Sequence, residues 1–474
     1  MSRAARIPAM AAIALALLGG CAVGPNYAPP TPPAGAEAPL VSVDPSVEAV
    51  SEPPDAWWRL YDDPEVDALV RQALAANTDL TAAQANLSAA RAVLEATRNG
   101  LYPQSNLEYG ATYGRDPNTD EILELDGHKP QTIWLFDDIF DVSYELDLFG
   151  HVRRSVEASK ADSEAAVAAR DAVKITVAAE TLRAYSQVCA LGEQLAVANH
   201  SLDIVAHESA ISRNRRDIGS GSDFEVTRAE ALEAQTRAAL PPLEGQRRAA
   251  LFQLAALMGR TPSQAPAEAL ACVTPPKLTQ PMPVGDGAGL LRRRPDVRLA
   301  ERRLASATAR VGVATADLYP RITLSGFYGG AAVQMNQLTQ NAGQVWGVGP
   351  SIHWSFPNQE GPRARIRASK AAAAAALANF DGAVLQALKE TETALATYRA
   401  ELDHHQALAE AQAKAQRAYD MAHDQLAAGS ISTLDLLTAE QTLTAANAAV
   451  AASDAALAQD QIAVFKALGG GWRG

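Results

Sequence analysis

The sequence is short of the residues that several protein classes require. Three cysteines among 474 residues are too few for a disulfide-built scaffold or a zinc ribbon. Basic side chains are also in the minority, with 41 Lys and Arg against 54 Asp and Glu, and this excess of negative charge disfavours nucleic acid as a partner. No nucleophile–base set and no phosphate-binding loop occurs, so the sequence supports no enzyme, and we expect neither a cofactor nor a metal site.

Long apolar runs are scarce as well. After residue 20 no run of 18 apolar residues occurs, which predicts that the mature chain has no transmembrane helix. The strands of a membrane β-barrel leave a much weaker signal, so a membrane protein is still possible. A hydrophobic content of 48% and a charged content of 20% are values of folded chains, which excludes wholesale disorder.

The N-terminus has the layout of an export signal. Arg3 and Arg6 precede an apolar stretch over residues 7–18, which is too short to span a bilayer. Residues 18–21, Leu-Gly-Gly-Cys, form a lipobox-like sequence, which predicts a signal peptide over 1–20 and lipidation of Cys21. A chance cysteine beside an ordinary cleavage site is the alternative. Ala22 follows Cys21 in place of the aspartate that usually retains lipoproteins at the inner membrane, which fits sorting to the outer membrane. Nine prolines in residues 24–54 predict an extended tether over 21–56.

The chain contains an internal duplication. A shift of 217 residues superposes the Leu-Tyr-Pro of 101–103 on that of 318–320, and a shift of 210 superposes Gly219-Ser220 on Gly429-Ser430. The seven-residue difference predicts a longer loop near 115–131 in the first copy. The predicted organisation is a first repeat over 57–259, a linker over 260–292, a second repeat over 293–468 and a tail over 469–474.

Proline is absent from two long stretches, 131–240 and 363–474, which are rich in the helix formers Ala, Glu, Gln, Leu and Arg. These stretches predict long helices over about 151–259 and about 361–468, and a shorter helix is expected over about 296–317. Apolar residues at every seventh position from Leu436 to Val464 indicate a coiled-coil seam. Each repeat therefore holds a long helical hairpin, and the residues that break the helices at the hairpin tips are Gly219, Gly221 and Gly429.

The aromatic residues lie elsewhere, with 14 of the 26 Phe, Tyr and Trp in 102–149 and 319–356. There the apolar period changes to two, which predicts strands over 104–113, 140–148, 321–329 and 345–356, in β-hairpins of about 104–148 and 321–356. Strands with one apolar, aromatic face are typical of membrane β-barrels. The acids on the polar faces, which would line a water-filled lumen, are Glu108, Asp141, Glu145 and Asp147.

Two interpretations of these strands stay open. In the first, they form a four-stranded soluble sheet that is covered by helices. In the second they cross a membrane, and then four strands cannot close a barrel, because open edges in lipid leave backbone groups unpaired. The membrane interpretation thus requires two or three copies to share one barrel of eight or twelve strands.

Several short motifs occur in order along the chain: CAVGPNY at 21–27, WW at 57–58, NTDL at 77–80, RRPDV at 293–297, LDLL at 434–437 and GGGW at 469–472. With these motifs the chain resembles the TolC-like outer-membrane factors of tripartite efflux systems, in the lipoprotein branch called the NodT family. The resemblance implies a mainly α protomer with a β-barrel part. It implies a homotrimer, in which a twelve-stranded outer-membrane β-barrel stands above a long periplasmic α-helical barrel.

The resemblance also implies partners and a function. The partners would be outer-membrane lipid, a periplasmic adaptor (membrane fusion) protein and an inner-membrane efflux transporter of the resistance-nodulation-division type. The channel would be a passive exit duct for drugs, toxic compounds, metals or other small molecules. Type I protein secretion by the same fold, or a periplasmic coiled-coil lipoprotein that acts as a scaffold, are the alternatives.

By the same resemblance, the tip of the second helical hairpin closes the resting channel. Under threefold symmetry Leu434 would form an apolar ring and Asp435 a ring of carboxylates, while Phe224 and Glu225 occupy the matching places of the first repeat. Thr438 stands where one family pattern has a second acid. The alternative role of Asp435 is to favour a helix N-terminus through the macrodipole.

Three further groups receive structural rather than functional predictions. Cys189 and Cys272 are predicted to be a buried thiol and a linker thiol rather than a disulfide. The charge run 292–294, Arg-Arg-Arg, is predicted to be a solvated turn before a helix. The residues predicted to be solvated helix positions rather than metal ligands are His200, His207, His404 and His405.

Overall fold

The structure, a computed structural model, describes residues 22–43, 47–48, 51–115, 132–278, 280–341 and 343–470, together with 125, 127 and 129. The predicted signal peptide, Cys21, most of the predicted loop near 115–131 and the last four residues lie outside this part of the chain. The described residues form two compact units. Unit 1 holds those up to Pro30, Leu87–Ala165 and Ala300–Phe380, and unit 2 holds Thr31–Asn86, Ala166–Leu299 and those from Asp381 onward.

Helices dominate both repeats. In chain order they are α1 (Pro64–Ala76), α2 (Thr78–Asn99), α3 (His151–Asp217), α4 (Asp223–Ala238), α5 (Leu240–Leu257), α6 (Gly287–Arg293), α7 (Pro295–Ala316), α8 (Glu360–Ala427) and α9 (Thr433–Ala467). The long helices expected from the proline-free stretches are confirmed, since α3 has 67 residues and α8 has 68. The first helix begins where Asp63 accepts the backbone N–H groups of Glu65 and Val66, one residue before a proline at its first position.

Within the described residues, α8 contains an 18-residue window that is apolar enough, by composition, to cross a membrane. The sequence itself predicts no transmembrane helix in the mature chain. Composition alone is weak support for a membrane span, because the six alanines at 371–376 supply much of the hydropathy and alanine is also the best helix former. The absence of a transmembrane helix therefore stays a prediction.

Unit 1 contains one four-stranded antiparallel sheet. Its strands are β2 (Gln104–Gly114), β3 (Ile133–Glu145), β5 (Arg321–Ala332) and β6 (Gln344–His353), and they lie side by side in the order β2-β3-β5-β6. Each repeat supplies one hairpin, and the pairing of β3 with β5 joins the two hairpins. The outer sides of β2 and β6 are consequently the two edges of this sheet.

The predicted bounds of β3 were wrong at both ends. The strand begins at Ile133 rather than at residue 140. The predicted start was too late because Asp137 and Asp138 are consecutive acids that break the apolar–polar alternation. It ends at Glu145, so Asp147 lies beyond the strand. Asp147 instead accepts the backbone N–H groups of Val152 and Arg153 at 3.0 and 2.9 Å, in the first turn of α3. This correction removes Asp147 from the polar strand face.

Unit 2 also ties the N-terminal tether to the connection between the repeats. The short strand β1 (Val47–Glu48) pairs in parallel with β4 (Met282–Pro283), and Met282 is buried. The predicted linker 260–292 contains β4 and most of α6 and is thus built into the fold. Around it lies a core in which the Trp57 ring stacks on Phe465 with centroids 4.7 Å apart.

The arginine run was predicted to be solvated, and this is wrong for two of its three members. Only Arg292 is exposed, whereas Arg293 and Arg294 are 9% and 7% exposed. Arg294 forms ion pairs with Asp296 and Glu390 at 2.6 and 2.7 Å and donates to the carbonyl oxygen of Ala467, near the C-terminal end of α9. The burial of Arg294 is tolerated because two carboxylates and a carbonyl oxygen satisfy its guanidinium group.

The two cysteines of unit 2 form a disulfide, which corrects the prediction of separate thiols. Cys189 on α3 is bonded to Cys272, and their Cα atoms lie 4.8 Å apart despite a sequence separation of 83 residues. The chain after α5 returns along α3. Arg247, on α5, donates to the carbonyl oxygens of Leu270 and Cys272 in this returning segment. Sequence separation alone could not indicate this approach.

We predict that the disulfide stabilises unit 2 measurably. It closes a loop of roughly 80 residues, and such a crosslink contributes on the order of 2–4 kcal/mol. Cys272→Ala, or reduction with dithiothreitol, should lower the melting temperature by about 3–7 °C, as measured by circular dichroism of the detergent-solubilised protein. Dithiothreitol should have no further effect on the Cys272→Ala variant. An unchanged melting temperature of the reduced wild-type protein would contradict the prediction.

Candidate functional site

The pairing register gives the four-stranded sheet two chemically distinct faces. Residues that pair directly across antiparallel strands point to the same side. Asp141 pairs with Asn106, Ser143 with Ser325 and Glu145 with Thr323, so one face collects polar side chains from neighbouring strands. Glu108 lies on this face as well, opposite Ile139. The register therefore brings Glu108, Asp141 and Glu145 to one face, as the alternation predicts.

Asp137 is a fourth acid on this polar face that the sequence reasoning missed. It pairs with Gly110, and a side chain at that glycine would collide with its carboxylate. Its even spacing from Asp141 was the signal, but the predicted strand began too late to include it. The adjacent Asp138 lies on the opposite face and accepts the backbone N–H of Gly330 at 2.6 Å.

The second face is apolar and aromatic, and many of its side chains are exposed. At the end of the sheet where β2 meets β3, the ring centroids of Tyr113 and Trp134 lie 5.2 Å apart. Trp134 in turn stacks on Phe136. The exposed apolar side chains of this face include Leu107, Tyr109, Phe140, Leu324, Tyr328, Trp346, Val348 and Ile352. An apolar surface of this kind on a soluble protein would need a covering element.

The N-terminal segment that follows Cys21 is held in a seat built by unit 1. The backbone N–H of Val23 donates to the carbonyl oxygen of Phe149 at 3.1 Å. Arg154, which is 5% exposed, donates to the carbonyl oxygen of Val23 at 3.2 Å and to the side-chain oxygen of Asn26 at 2.6 Å. The third guanidinium nitrogen of Arg154 pairs with Glu157 at 2.7 Å. The segment is thereby fixed from Val23 to Asn26.

Glycine allows the close approach that this seat requires. Gly24 has a φ of +89°, and a Cβ built on it would lie 2.5 Å from the Cα of Gly312 on α7. Gly150, with a φ of +81°, would likewise collide with Ala22 if it carried a side chain. Any larger residue at either glycine must push the segment away from the body.

Tyr27 completes the seat. Its hydroxyl donates to Glu301, and the guanidinium of Arg302 lies over its ring at 5.6 Å from the centroid. Burial and then the Glu301 carboxylate raise the pKa of Tyr27 well above its usual range, so the hydroxyl stays a donor at physiological pH. Cys21 itself lies outside the described residues, and its lipidation stays a prediction.

The tips of the two helical hairpins in unit 2 have the same construction. After α3, Gly219 takes a φ of +77° and the N–H of Ser220 donates to the carbonyl oxygen of Arg215. After α8, Gly429 takes a φ of +72° and Ser430 donates to Gln425 in the same way. Both turns are of the type that glycine favours at a helix C-terminus.

Gly221 serves this turn differently from Gly219. It has no left-handed φ, but a Cβ built on it would lie 3.0 Å from the backbone nitrogen of Arg216. The residue is therefore needed for close approach rather than for an unusual φ.

The helices that leave both tips start with the same cap. Ser222 and Glu225 form a capping box at α4, and Ser432 and Asp435 form one at α9. Asp435 accepts from the backbone N–H and the hydroxyl of Ser432 at 3.0 and 2.7 Å, and these bonds hold the pKa of the carboxyl below its usual value. The alternative role of Asp435 as a helix-start residue is thus observed.

The gate function of these residues stays a prediction. Leu434 is 47% exposed and Phe224 is 74% exposed, so both apolar side chains are available to pack against other surfaces. The Thr438 hydroxyl donates to the carbonyl oxygen of Leu434 at 2.8 Å, within its own helix. Bulky apolar groups thus stand at both hairpin tips beside the two capping acids.

Within the described part of the chain no group of three or more His, Cys, Asp or Glu side chains is arranged to hold a metal ion. His200 and His207 are exposed on α3. His404 lies 3.2 Å from Glu401, and His405 lies 3.3 Å from Asp454. Each of these is a pairwise contact between one imidazole and one carboxylate.

Comparison with known proteins gives consistent similarities over both repeats. Residues 69–260 and 289–470 match the family described as outer membrane efflux protein. The outer-membrane channel OprN is 35% identical, with a TM-score of 0.86 over 95% of this chain and 100% of that one. The pyoverdine export outer membrane protein OpmQ of Pseudomonas aeruginosa is 31% identical over 88% of this chain and 87% of its own. Nodulation protein T of Rhizobium leguminosarum bv. trifolii is 27% identical over 92% of this chain and 91% of its own.

We predict that Arg154 is required to seat the N-terminal segment. Arg154→Ala removes the donors to Val23 and Asn26 and should cost on the order of 2–3 kcal/mol, because two part-buried acceptors lose a charged donor. Limited proteolysis followed by mass spectrometry should then cut within residues 22–30, which are protected in the wild-type protein. Arg310→Ala is the control, since Arg310 forms only an exposed pair with Asp162 on the same unit. Equal protection in Arg154→Ala and wild type would contradict the prediction.

Proposed function

Because this chain belongs to the outer membrane efflux protein family, in the branch of nodulation protein T, it is an outer-membrane efflux channel of a Gram-negative cell, and we propose how its residues carry out that function. The fold class expected from the sequence is confirmed: a duplicated, mainly helical protomer that contributes strands to a trimeric outer-membrane β-barrel above a periplasmic α-helical barrel. Members of this family are passive channels rather than enzymes.

The observation that carries the proposal is the two-faced, four-stranded sheet with open edges. The aromatic face suits lipid, and the polar face suits water. Three copies supply twelve strands, with β2 of one protomer beside β6 of the next, and this closure satisfies every strand edge. In our proposal the acids on the polar face, which line the lumen, are Glu108, Asp137, Asp141 and Glu145.

The lipid anchor supports the same membrane placement. We propose that acyl chains on Cys21 enter the periplasmic leaflet of the outer membrane, which is the leaflet nearest to the seat described above. The seat holds residues 22–27 beside Gly150, and Gly150 lies five residues after the end of strand β3 at Glu145. A thioether-linked lipid on the preceding residue would thus start close to the end of the barrel strands.

The helical hairpins carry the proposed contacts with the rest of the pump. The partners that we propose are a periplasmic adaptor protein and an inner-membrane transporter of the resistance-nodulation-division type. The adaptor would engage the tips at Gly219, Gly221 and Gly429, and the transporter would supply the energy. Leu434 and Phe224, with the neighbouring acids Asp435 and Glu225, would close the resting tip. The apolar rings resist wetting, which blocks ions without a plug.

The lumen assignment predicts a cation-preferring channel. Carboxylates that line a pore raise the local cation concentration by focusing the field. In planar bilayers the reconstituted trimer should prefer K⁺ to Cl⁻, and Asp141→Asn with Glu145→Gln should reduce this preference several-fold. Asp138→Asn is the matched control, because Asp138 lies on the same strand but on the opposite face. Anion preference in the wild-type channel would count against the assignment, and absence of any channel would count against the function.

The gate assignment predicts that shortening Leu434 opens the resting channel. Leu434→Ala removes apolar contact at the tip and should raise single-channel conductance several-fold and sensitise cells to vancomycin. Leu434→Met nearly preserves volume and should stay closed. Asp435→Ala should change ion preference or cation block at the entrance more than opening. A Leu434→Ala channel that is as closed as wild type in both assays would place the constriction elsewhere.

A further inference from the structure

A buried carboxylate lies near the tip of the second helical hairpin. Glu440, on α9 two turns after the Ser432 cap, is 1% exposed. Both of its carboxyl oxygens are buried, and neither has a hydrogen-bond partner among the described residues. A buried, ionised carboxylate without donors is strongly unfavourable in a folded protein. Its state of protonation therefore affects how the tip packs.

Glu440 lines a cavity that joins the two hairpins of unit 2. The cavity has a volume of about 260 Å³ and is bounded by side chains of α3, α4 and α9. Three of the predicted gate residues, Phe224, Glu225 and Leu434, line it together with Glu440 and Glu208. Near it Arg215 on α3 donates to the hydroxyl of Thr433 on α9 at 2.6 Å, which ties the hairpins together.

The duplication provides an internal comparison. The shift of 210 residues that superposes the hairpin tips places Glu230 of the first repeat on Glu440 of the second. Glu230 is half exposed and lies 3.8 Å from Arg213. The residue that corresponds to Arg213 is His423, whose ring lies beside Asp424 instead. The acid is thus present in both repeats, but in the second it is buried, and a histidine stands at the position of its basic partner.

The charged and titratable groups around Glu440 come from each neighbouring helix. Glu208 faces it from α3, and Tyr419 lies on α8. From α4, Arg228 and Glu225 line the same cavity. Burial, and then the charge of Glu208, raise the pKa of Glu440 to about 7. Burial and the same two glutamates raise the pKa of Tyr419, which stays neutral at physiological pH.

We propose that Glu440 is a proton-binding site through which periplasmic pH controls the packing of α9 against α3 at the channel tip. The inference rests on the proposed function, since it assigns regulation to the predicted gate. With a proton, the carboxyl group is neutral and the hairpins stay packed. Without it, an unpaired charge faces Glu208 and the hairpins separate around the cavity.

The sign of the pH dependence follows from the direction of the shift. The packed tip prefers protonated Glu440, so packing is most stable at acid pH and weakens as pH rises from the ordinary value for glutamate towards about 7. Above that pH the penalty is constant. A pKa shift of this size changes the packed-to-separated ratio by roughly 300-fold at most. Acid conditions therefore favour the closed tip.

Two measurements on the full-length lipidated trimer, between pH 5.5 and pH 8.5, test the proposal. Single-channel conductance of wild type should rise with a midpoint near pH 7, whereas Glu440→Gln should keep the acid-pH conductance throughout. Glu230→Gln, the repeat-matched control, should titrate like wild type. Glu208→Gln removes the facing charge and should move the midpoint to lower pH, which keeps the test valid if Glu440→Gln folds poorly.

The melting temperature gives a readout that needs no conduction. Glu440→Gln should exceed wild type in melting temperature by clearly more at pH 8.5 than at pH 5.5, and Glu230→Gln should show no such difference. A wild-type channel with no titration in this range, or a Glu440→Gln variant that titrates like wild type in both measurements, overturns the proposal. Failure to form any channel would instead overturn the proposed function, while the melting curves would still decide the role of Glu440.

Discussion

Backbone groups at the edges of the four-stranded sheet impose the main constraint on this protein. Strands β2 and β6 each leave one row of N–H and C=O groups without a partner in the sheet. Water can satisfy such groups, but hydrocarbon cannot, and each unpaired group costs several kcal/mol there. A sheet with an aromatic face can lie in the membrane only if copies of itself complete the ring. Threefold assembly is thus a condition for insertion rather than an addition to a stable monomer.

The features that the sequence predicted are those with local physical causes. Gly219 and Gly429 end helices because glycine tolerates a positive φ, and this signal is visible in any sequence. Most strands were found because a period of two follows from the pleat itself. The start of β3 was missed where Asp137 and Asp138 stand side by side, since one of them must then lie on the apolar face. That acid is Asp138. The cost of placing its carboxylate on the apolar face is offset by the hydrogen bond that it accepts from the N–H of Gly330, a contact between repeats that the alternation does not show.

Most of the other missed features depend on contacts that are distant in sequence. The Cys189–Cys272 disulfide forms because the chain turns back along α3, and Arg294 is buried because Glu390 and the end of α9 lie beside it. Arg154 gave no signal at all, because its acceptors lie near residue 25. The burial of Glu440 also depends on contacts that are distant in sequence, since side chains from three helices surround its cavity. Composition and period indicate which faces are apolar, but they do not indicate which polar groups will be enclosed.

The duplication explains why the two hairpin tips share a design and yet differ in chemistry. Their turns and capping boxes are equivalent, which fixes the backbone at both tips in the same way. The side chains around that backbone have diverged, so that Phe224 stands where Leu434 does and Arg213 where His423 does. A common scaffold with different side chains places six tips around a threefold axis, three of each of two alternating kinds.

The seat of the N-terminal segment has a consequence for biogenesis. Its walls come from both repeats: Gly150 and Arg154 belong to the first, and Glu301 and Gly312 belong to the second. The seat is complete only when almost 300 residues that follow the anchor have been synthesised, exported and folded. The lipid predicted on Cys21 would be attached to an exported precursor, so the modified end would reach its binding site only after both repeats have folded. Closing so long a loop costs only a few kcal/mol of chain entropy, because that cost grows with the logarithm of length. Docking of the anchored end is therefore a late folding event, and it marks a protomer in which both halves have reached the native state.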